Sequence, residues 1–205
     1  GERIYSIKKF NFDYFSLDGS SQLVAKTGYS RIGGFEIYLS RPELGSSLWE
    51  TILEAGRSEN IRPGSPNIID RVEAGLLSFG NEMTVENTPL ECNMDKFLDI
   101  NKEADYIGKK VLQRQIRYGI KRRIRGVIYN GPKLPTVSRP LQVFDIDKRT
   151  IVGSLTSGAF SPHFKRNIGV GMIKYGYWDN NKKILVNIAD KEFREGLIKD
   201  LPLIQ

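Results

Sequence analysis

Cysteine and histidine are nearly absent: the chain of 205 residues has one of each, Cys92 and His163. A lone cysteine excludes an internal disulfide framework and fits a reducing, cytoplasmic compartment. A lone histidine beside it argues against a zinc site, though not against an ion held by oxygens. Long apolar runs are missing too. None approaches the ~20 residues of a membrane-spanning helix, so no membrane partner is expected. The opening GERIYSIKKF lacks the apolar stretch of a signal peptide. A Gly-rich P-loop, a dinucleotide fingerprint after a strand and a nucleophile elbow are all absent. His163 in SPHF has no base or ligand partner visible in sequence, which favours a structural role over a catalytic one. Cys92 likewise reads as packed rather than reactive.

The chain starts with Gly1 rather than Met and moves straight into a strand-like pattern. It is therefore expected to be a piece of a longer protein, whose missing N-terminal part would complete any shared site.

What is present suffices for one large domain or two small ones: 40% of residues are hydrophobic and 27% charged. The net charge of +7 is concentrated in KKVLQRQIRYGIKRRIR, residues 109–125, with eight basic residues and no acid. One reading is phosphate binding on a nucleic acid. The other is a solvated helix face followed by a strand, with Val111, Leu112, Gln115 and Ile116 as its stripe and Gly119 as its end. No stacking-aromatic motif lies nearby, so a nucleic acid is not the expected partner. An anionic small ligand or an acidic partner stays open.

Residues 3–17, 22–30 and 34–39 read as strands, the first two parted by the turn Asp18-Gly19-Ser20. SRIGG makes a hairpin-like connection in which Gly33 and Gly34 are free to take positive φ. Ser40-Arg41-Pro42-Glu43 has the form of a capping box. It precedes a helix with Leu44, Leu48, Ile52 and Leu53 on one side, closed by Gly56. After the loop 61–66, Pro66 can start a second helix with Ile69, Val72, Leu76 and Leu77 inward and Gly80 at its end. The first half is thus an α+β layer of antiparallel strands under helices. From residue 121 the segments IRGVIYN, LQVFDI, TIVGSLTSG, NIGVGMIKY and KKILVNI read as short strands, with DIDKRT and IADKEFREG as turns. That is a small barrel or sandwich, and the boundary between the halves falls near 117–123.

Two charged residues interrupt apolar patterns. Alternation along 34–39 puts Glu36 and Tyr38 opposite Phe35, Ile37 and Leu39. A solvent-facing glutamate and a ligand-facing one both fit. Arg71 sits between Ile69 and Val72, and a surface arginine paired with Asp70 or Glu73 fits as well as a binding residue.

Read together and in order, GYSRIGGFEIYL, DRVEAGLLSFGNEMTVENTPLE and VGSLTSGAFSPHFKRNIGVGMI resemble the motifs of the glycine-cleavage T-protein (aminomethyltransferase) family. The resemblance covers nearly the whole chain and matches the middle and C-terminal parts of that fold. It implies part of a ferredoxin-like folate-binding domain over 1–118, then a C-terminal antiparallel β-barrel over 119–205. It also implies tetrahydrofolate as cofactor. By position in the motifs, Glu36 would accept the pterin's N–H donors in a cavity, Tyr29 would line the same pocket, and Arg71 would contact the folate. A carboxylate accepting two parallel N–H bonds gives charge-assisted, geometrically selective recognition. An arginine complements a carboxylate or polar carbonyl. The stretch 109–125 could attract the glutamate tail of folate.

Two departures matter. Arg31-Ile32-Gly33-Gly34 replaces the family's acidic pair before the final Gly, and TPLE continues as CNMDKFLDI. Both, with SPHFKRNIGVGMIK, look closer to the dimethylsulfoniopropionate demethylase branch, which passes a methyl group from a sulfonium to tetrahydrofolate. Trp178 and the tyrosines could wall a sulfonium by cation–π contact. The partner of that branch is a small-molecule one-carbon donor. The aminomethyltransferase alternative adds a lipoyl carrier protein. A non-enzymatic folate-binding module, as in relatives that assist iron–sulfur assembly, is a third reading, although Cys92 in LECNMD does not match their K-G-C-Y-x-G motif. The catalytic aspartate of the aminomethyltransferases lies N-terminal to this segment, so no catalytic residue is assigned. The piece alone is expected to be inactive.

Overall fold

A computed structural model of the chain describes residues 2–29, 33–64 and 67–204. The chain forms two compact units, Gly1–Asn67 and Ile68–Gln205.

The first unit is built on a three-stranded antiparallel sheet, β1 (Phe12–Leu17), β2 (Ser20–Ala25) and β3 (Glu36–Tyr38), in that spatial order. The strands are shorter than the sequence pattern predicts. Residues Glu2–Ser6 form a 3-10 turn instead of strand, held by the Ser6 hydroxyl donating to the Arg3 carbonyl at 2.7 Å. Phe10 then takes a positive φ of 64°, which interrupts extended backbone before β1 can begin. Gly33 and Gly34 have φ of 100° and 125°, as their position predicts, whereas Ser30, Arg31 and Ile32 of the expected connection lie outside the described residues.

The capping box at Ser40–Glu43 does not form. The Ser40 amide donates to the Gln22 side chain at 3.2 Å, and Glu43 pairs with Arg41 at 2.8 Å. Pro42–Leu44 makes a 3-10 turn, and α1 runs from Gly45 to Ala55 with Leu48 buried. Gly56 does close α1, but at φ −92°. The left-handed residue is Asn60, at φ 56° after one further turn.

The second unit opens with α2 (Ile68–Glu73); Pro66, expected to start this helix, lies outside the described residues. The helix ends well before Gly80 because Gly75 takes φ +65°, with Leu201 and Pro202 packed where a side chain would go. Leu76 to Gly80 therefore form a loop. The helix α3 (Lys109–Tyr118) ends at Gly119, φ 83°, as predicted, but it buries only Leu112; Val111 and Ile116 are exposed.

A closed antiparallel barrel follows, made of β4 (Arg122–Tyr129), β5 (Leu141–Phe144), β6 (Ile151–Ser161), β7 (Arg166–Lys174), β8 (Lys183–Ala189) and β9 (Glu192–Lys199). The spatial order is β4-β7-β6-β5-β8-β9, with β9 returning to β4. Full closure removes the sheet edges. The interior is filled by Val127, Tyr129, Val143, Val152, Leu155, Ile173, Ile184, Val186 and Ile198. The segment EFREG, expected as part of a turn, begins β9; the turn is confined to Asp190 and Lys191, with Lys191 at φ 55°. Its interrupted apolar pattern hides a strand whose glycine, Gly196, admits Tyr129 and Ile184. The same logic explains the glycine-rich pair β6/β7. A Cβ on Gly171 would collide with the Ser154 carbonyl, and one on Gly158 would sit 2.7 Å from the Ile168 carbonyl. The register shifts between Leu155 and Ser157 at this crossing.

The outer face of β4 and β7 is covered by α2: Val72 packs with Ile124, Ile168 and Val170. Among the described residues no helix is long and apolar enough to cross a membrane.

Candidate functional site

In the first unit the register puts side chains into rows. Phe12, Ala25 and Glu36 lie opposite one another, as do Tyr14, Leu23 and Tyr38, so all six share one face of the sheet. Phe12, Tyr14 and Tyr38 are each more than half exposed, at 59%, 56% and 54%. Phe12 and Tyr14 meet edge to face with centroids 6.1 Å apart. Glu36 is thus an exposed carboxylate at the border of an aromatic face. The Thr27 hydroxyl donates to its Oε2, which steers the carboxylate. Thr27 gave no signal in the sequence, being nine residues away from Glu36. Tyr29, two residues beyond Thr27, is also exposed. Lys26 places its Nζ 5.9 Å from the Phe35 ring centroid. A carboxylate beside exposed aromatic rings can accept hydrogen bonds from a planar group bearing N–H donors.

Arg71 belongs to the second unit, and it is buried rather than at the surface. Its partners are neither Asp70 nor Glu73. Its Nη1 donates to Glu82 Oε2 at 2.9 Å and to the Leu76 carbonyl at 2.8 Å; its Nη2 donates to Glu82 Oε1 at 3.3 Å and Ser157 Oγ at 2.6 Å. Glu82 also accepts the Ser78 amide at 2.7 Å. Both Nη groups are therefore engaged, and the loop 76–82 is tied to α2 and to strand β6. Two residues further along α2, Glu73 accepts a hydrogen bond from Ser161 Oγ at 2.5 Å, and Ser161 in turn accepts the Phe164 amide at 3.0 Å. Two of the three sequence motifs thus meet physically here, the helix motif through Arg71, Glu73 and Glu82, the barrel motif through Ser157 and Ser161. Spacing alone did not reveal Glu82 as the partner, because the helix ends between it and Arg71.

Four of the eight basic residues of the stretch 109–125 are engaged within the unit. Arg122 pairs with Glu91 at 3.0 Å, Arg123 with Asp95 at 3.7 Å and Arg125 with Asp200 at 2.5 Å. Lys109 donates to the carbonyls of Lys102, Glu103 and Ala104. Glu91 and Thr88 of TPLE do form a reciprocal box: the Thr88 amide donates to Glu91 Oε2 at 3.0 Å and the Glu91 amide lies 3.4 Å from Thr88 Oγ1. Cys92 is buried, as expected, and desolvation together with the neighbouring Glu91 charge raises its thiol pKa. His163 is exposed in the β6–β7 turn, edge-on to Phe164 at 4.8 Å. Trp178 packs on the barrel core and against Tyr175, centroids 5.1 Å apart.

Comparison with known proteins gives a consistent result. Residues 4–102 match the GCVT N-terminal domain and residues 122–201 the glycine cleavage T-protein C-terminal barrel domain. The chain is 42% identical over 179 residues to the dimethylsulfoniopropionate demethylase DmdA of Ruegeria pomeroyi, covering 87% of this chain and 48% of that protein. It is 35% identical over 196 residues to the aminomethyltransferase of Geobacillus sp., covering 94% of this chain and 52% of that protein. The aminomethyltransferase of Caldanaerobacter subterraneus subsp. tengcongensis is 36% identical over 200 residues, covering 96% of this chain and 52% of that protein. Among solved structures, the glycine cleavage system aminomethyltransferase T from Bartonella henselae superposes with a TM-score of 0.75 at 21% identity, over 89% of this chain and 50% of that one. The chain spans about half the length of the curated relatives it matches.

Proposed function

The chain belongs to the glycine-cleavage T-protein family, and on that premise we propose that it is the middle and C-terminal part of a tetrahydrofolate-dependent one-carbon transferase. The donor we propose is dimethylsulfoniopropionate or a similar small sulfonium, and the compartment is the cytoplasm. We assign residues 1–118 to the folate domain and 119–205 to the barrel domain, a division by function that differs from the two compact units, which part at Asn67 and Ile68. The observation that carries the reading is Glu36: an exposed carboxylate, steered by Thr27, beside the aromatic face of Phe12, Tyr14 and Tyr38. The identity of 42% to a demethylase supports the choice of donor.

The residues present fit the folate. Glu36 accepts the N–H donors of the pterin edge, and Tyr29 lines the same pocket. Arg71 serves as a positioning residue, since its Nη groups already hold the loop 76–82. Bound tetrahydrofolate supplies a nucleophilic nitrogen, and a sulfonium is an activated donor that leaves as a neutral thioether. The protein's task is orientation and exclusion of water. The missing N-terminal part completes the pocket, so this piece alone is inactive.

The aminomethyltransferase reading, with a lipoyl carrier protein as partner, is supported by relatives that are 35% and 36% identical over nearly the whole chain. The protein extended to the length of its relatives decides between them. Incubated with tetrahydrofolate and dimethylsulfoniopropionate, it is expected to yield methyltetrahydrofolate and a thioether. Turnover only with an aminomethyl-lipoyl carrier would select the second reading, and turnover with neither would remove both.

A further inference from the structure

The barrel carries a hollow on its outer surface that the folate reading does not use. Its volume is about 350 Å³, and it lies over β4, β8 and β9, between the β5–β6 turn and the start of β7. Such a volume falls in the range of small-molecule sites. The floor is apolar. Ile128 pairs with Leu197 across β4 and β9, and Leu185 lies one step away on β8. The rim is cationic, carrying Lys148, Arg166 and Lys183 against one carboxylate, Glu195.

Among the described residues none of the three cations is within ion-pair distance of a carboxylate. The Arg166 side chain is oriented, and the two lysines project from defined backbone. Arg166 Nη1 donates to Asn130 Oδ1 at 3.0 Å, a neutral partner that orients the guanidinium without cancelling its charge. Lys148 sits at the tip of the β5–β6 turn, at φ 61°. The turn is fixed by Asp147, whose carboxylate accepts the amides of Arg149 and Thr150 at 2.8 and 2.9 Å. Lys183 projects from β8, in register with Leu197. Elsewhere in this unit the arginines of β4 are each matched by an acid. Here three cations surround an apolar floor beside a single carboxylate, Glu195, that none of them reaches within ion-pair distance.

We propose that this hollow binds a small organic anion with a flat apolar body and more than one negative charge, of the aryl dicarboxylate class. The apolar body covers Ile128, Leu185 and Leu197, while the carboxylates meet Arg166 and the two lysines.

The test is a titration of the 205-residue chain with naphthalene-2,6-dicarboxylate, followed by amide NMR, with inorganic sulfate in parallel. The expected result is saturable shifts at Leu185, Gly196 and Leu197, with the dicarboxylate at least tenfold tighter than sulfate. The double substitution Arg166→Gln with Lys183→Gln should weaken binding at least tenfold, and Arg166→Lys should retain most of it. Absence of saturable shifts in the unsubstituted protein, equal affinity for sulfate, or unchanged affinity in a folded double variant would each overturn the proposal. The first two outcomes need no variant, so a variant that fails to fold does not shelter it.

Discussion

Arg71 and Glu82 form a buried, two-point ion pair, Nη1 to Oε2 at 2.9 Å and Nη2 to Oε1 at 3.3 Å, capped by Ser157 of the barrel. The Glu82 side chain is fully shielded and that of Arg71 is only 9% exposed, so each charge depends on the other. Arg71→Leu should destabilise the second unit by about 3–5 kcal/mol, because it strands the Glu82 carboxylate. The double variant with Glu82→Leu should cost clearly less than the two single changes added. Urea denaturation of the four proteins gives the coupling. Additive losses would show that the pair is not a unit.

The glycine-rich crossing of β6 and β7 is a second structural demand. Gly171→Ala drives a methyl group into the Ser154 carbonyl. Overpacking against backbone should cost about 2 kcal/mol or more. A change under about 0.5 kcal/mol, the usual scale of a tolerated surface substitution, would mean that the two strands are further apart than described.

Tyr129 fills the barrel core, and burial pushes its phenol up from 10.0 to about 12. The folded state therefore favours the protonated form. Its contribution is complete below pH 10 and is lost as pH rises through 12, by about 2–3 kcal/mol in all. Stability measured from pH 9.5 upward should fall more steeply for the natural protein than for Tyr129→Phe. Identical slopes would contradict the assignment.

Cys92 is shielded, and its raised pKa keeps it as the thiol near neutral pH. Alkylation by iodoacetamide at pH 8 should be slow in the native protein and speed up at least tenfold in denaturant. Rapid stoichiometric labelling of the native chain would show an open thiol.

The α+β layer and the barrel were legible because their strands follow period two and are punctuated by turn residues. The helix Gly45–Ala55 was legible from its period of 3.6. What failed did so for local reasons. The Ser40 cap was lost because Gln22, eighteen residues away, takes its amide. The second helix stops at Glu73 because the C-terminal segment packs against Gly75. The start of β9 was hidden by its charged alternation, Glu192, Arg194 and Glu195. At the candidate site Glu36 stood out as a carboxylate within a strand. Thr27 could not, since only the folded connection brings its hydroxyl to Glu36. The basic run looked like a ligand-binding feature, yet its three β4 arginines serve ion pairs within the unit, with acids up to 75 residues distant in the case of Arg125 and Asp200.

The central claim is that Glu36 reads the pterin edge of tetrahydrofolate. Calorimetric titration of tetrahydrofolate into the protein extended to its relatives' length, with and without Glu36→Gln, tests it most directly. The account predicts saturable binding that Glu36→Gln weakens at least tenfold, about 1.4 kcal/mol. Equal affinity of the two proteins, or no binding by the unsubstituted one, would contradict it.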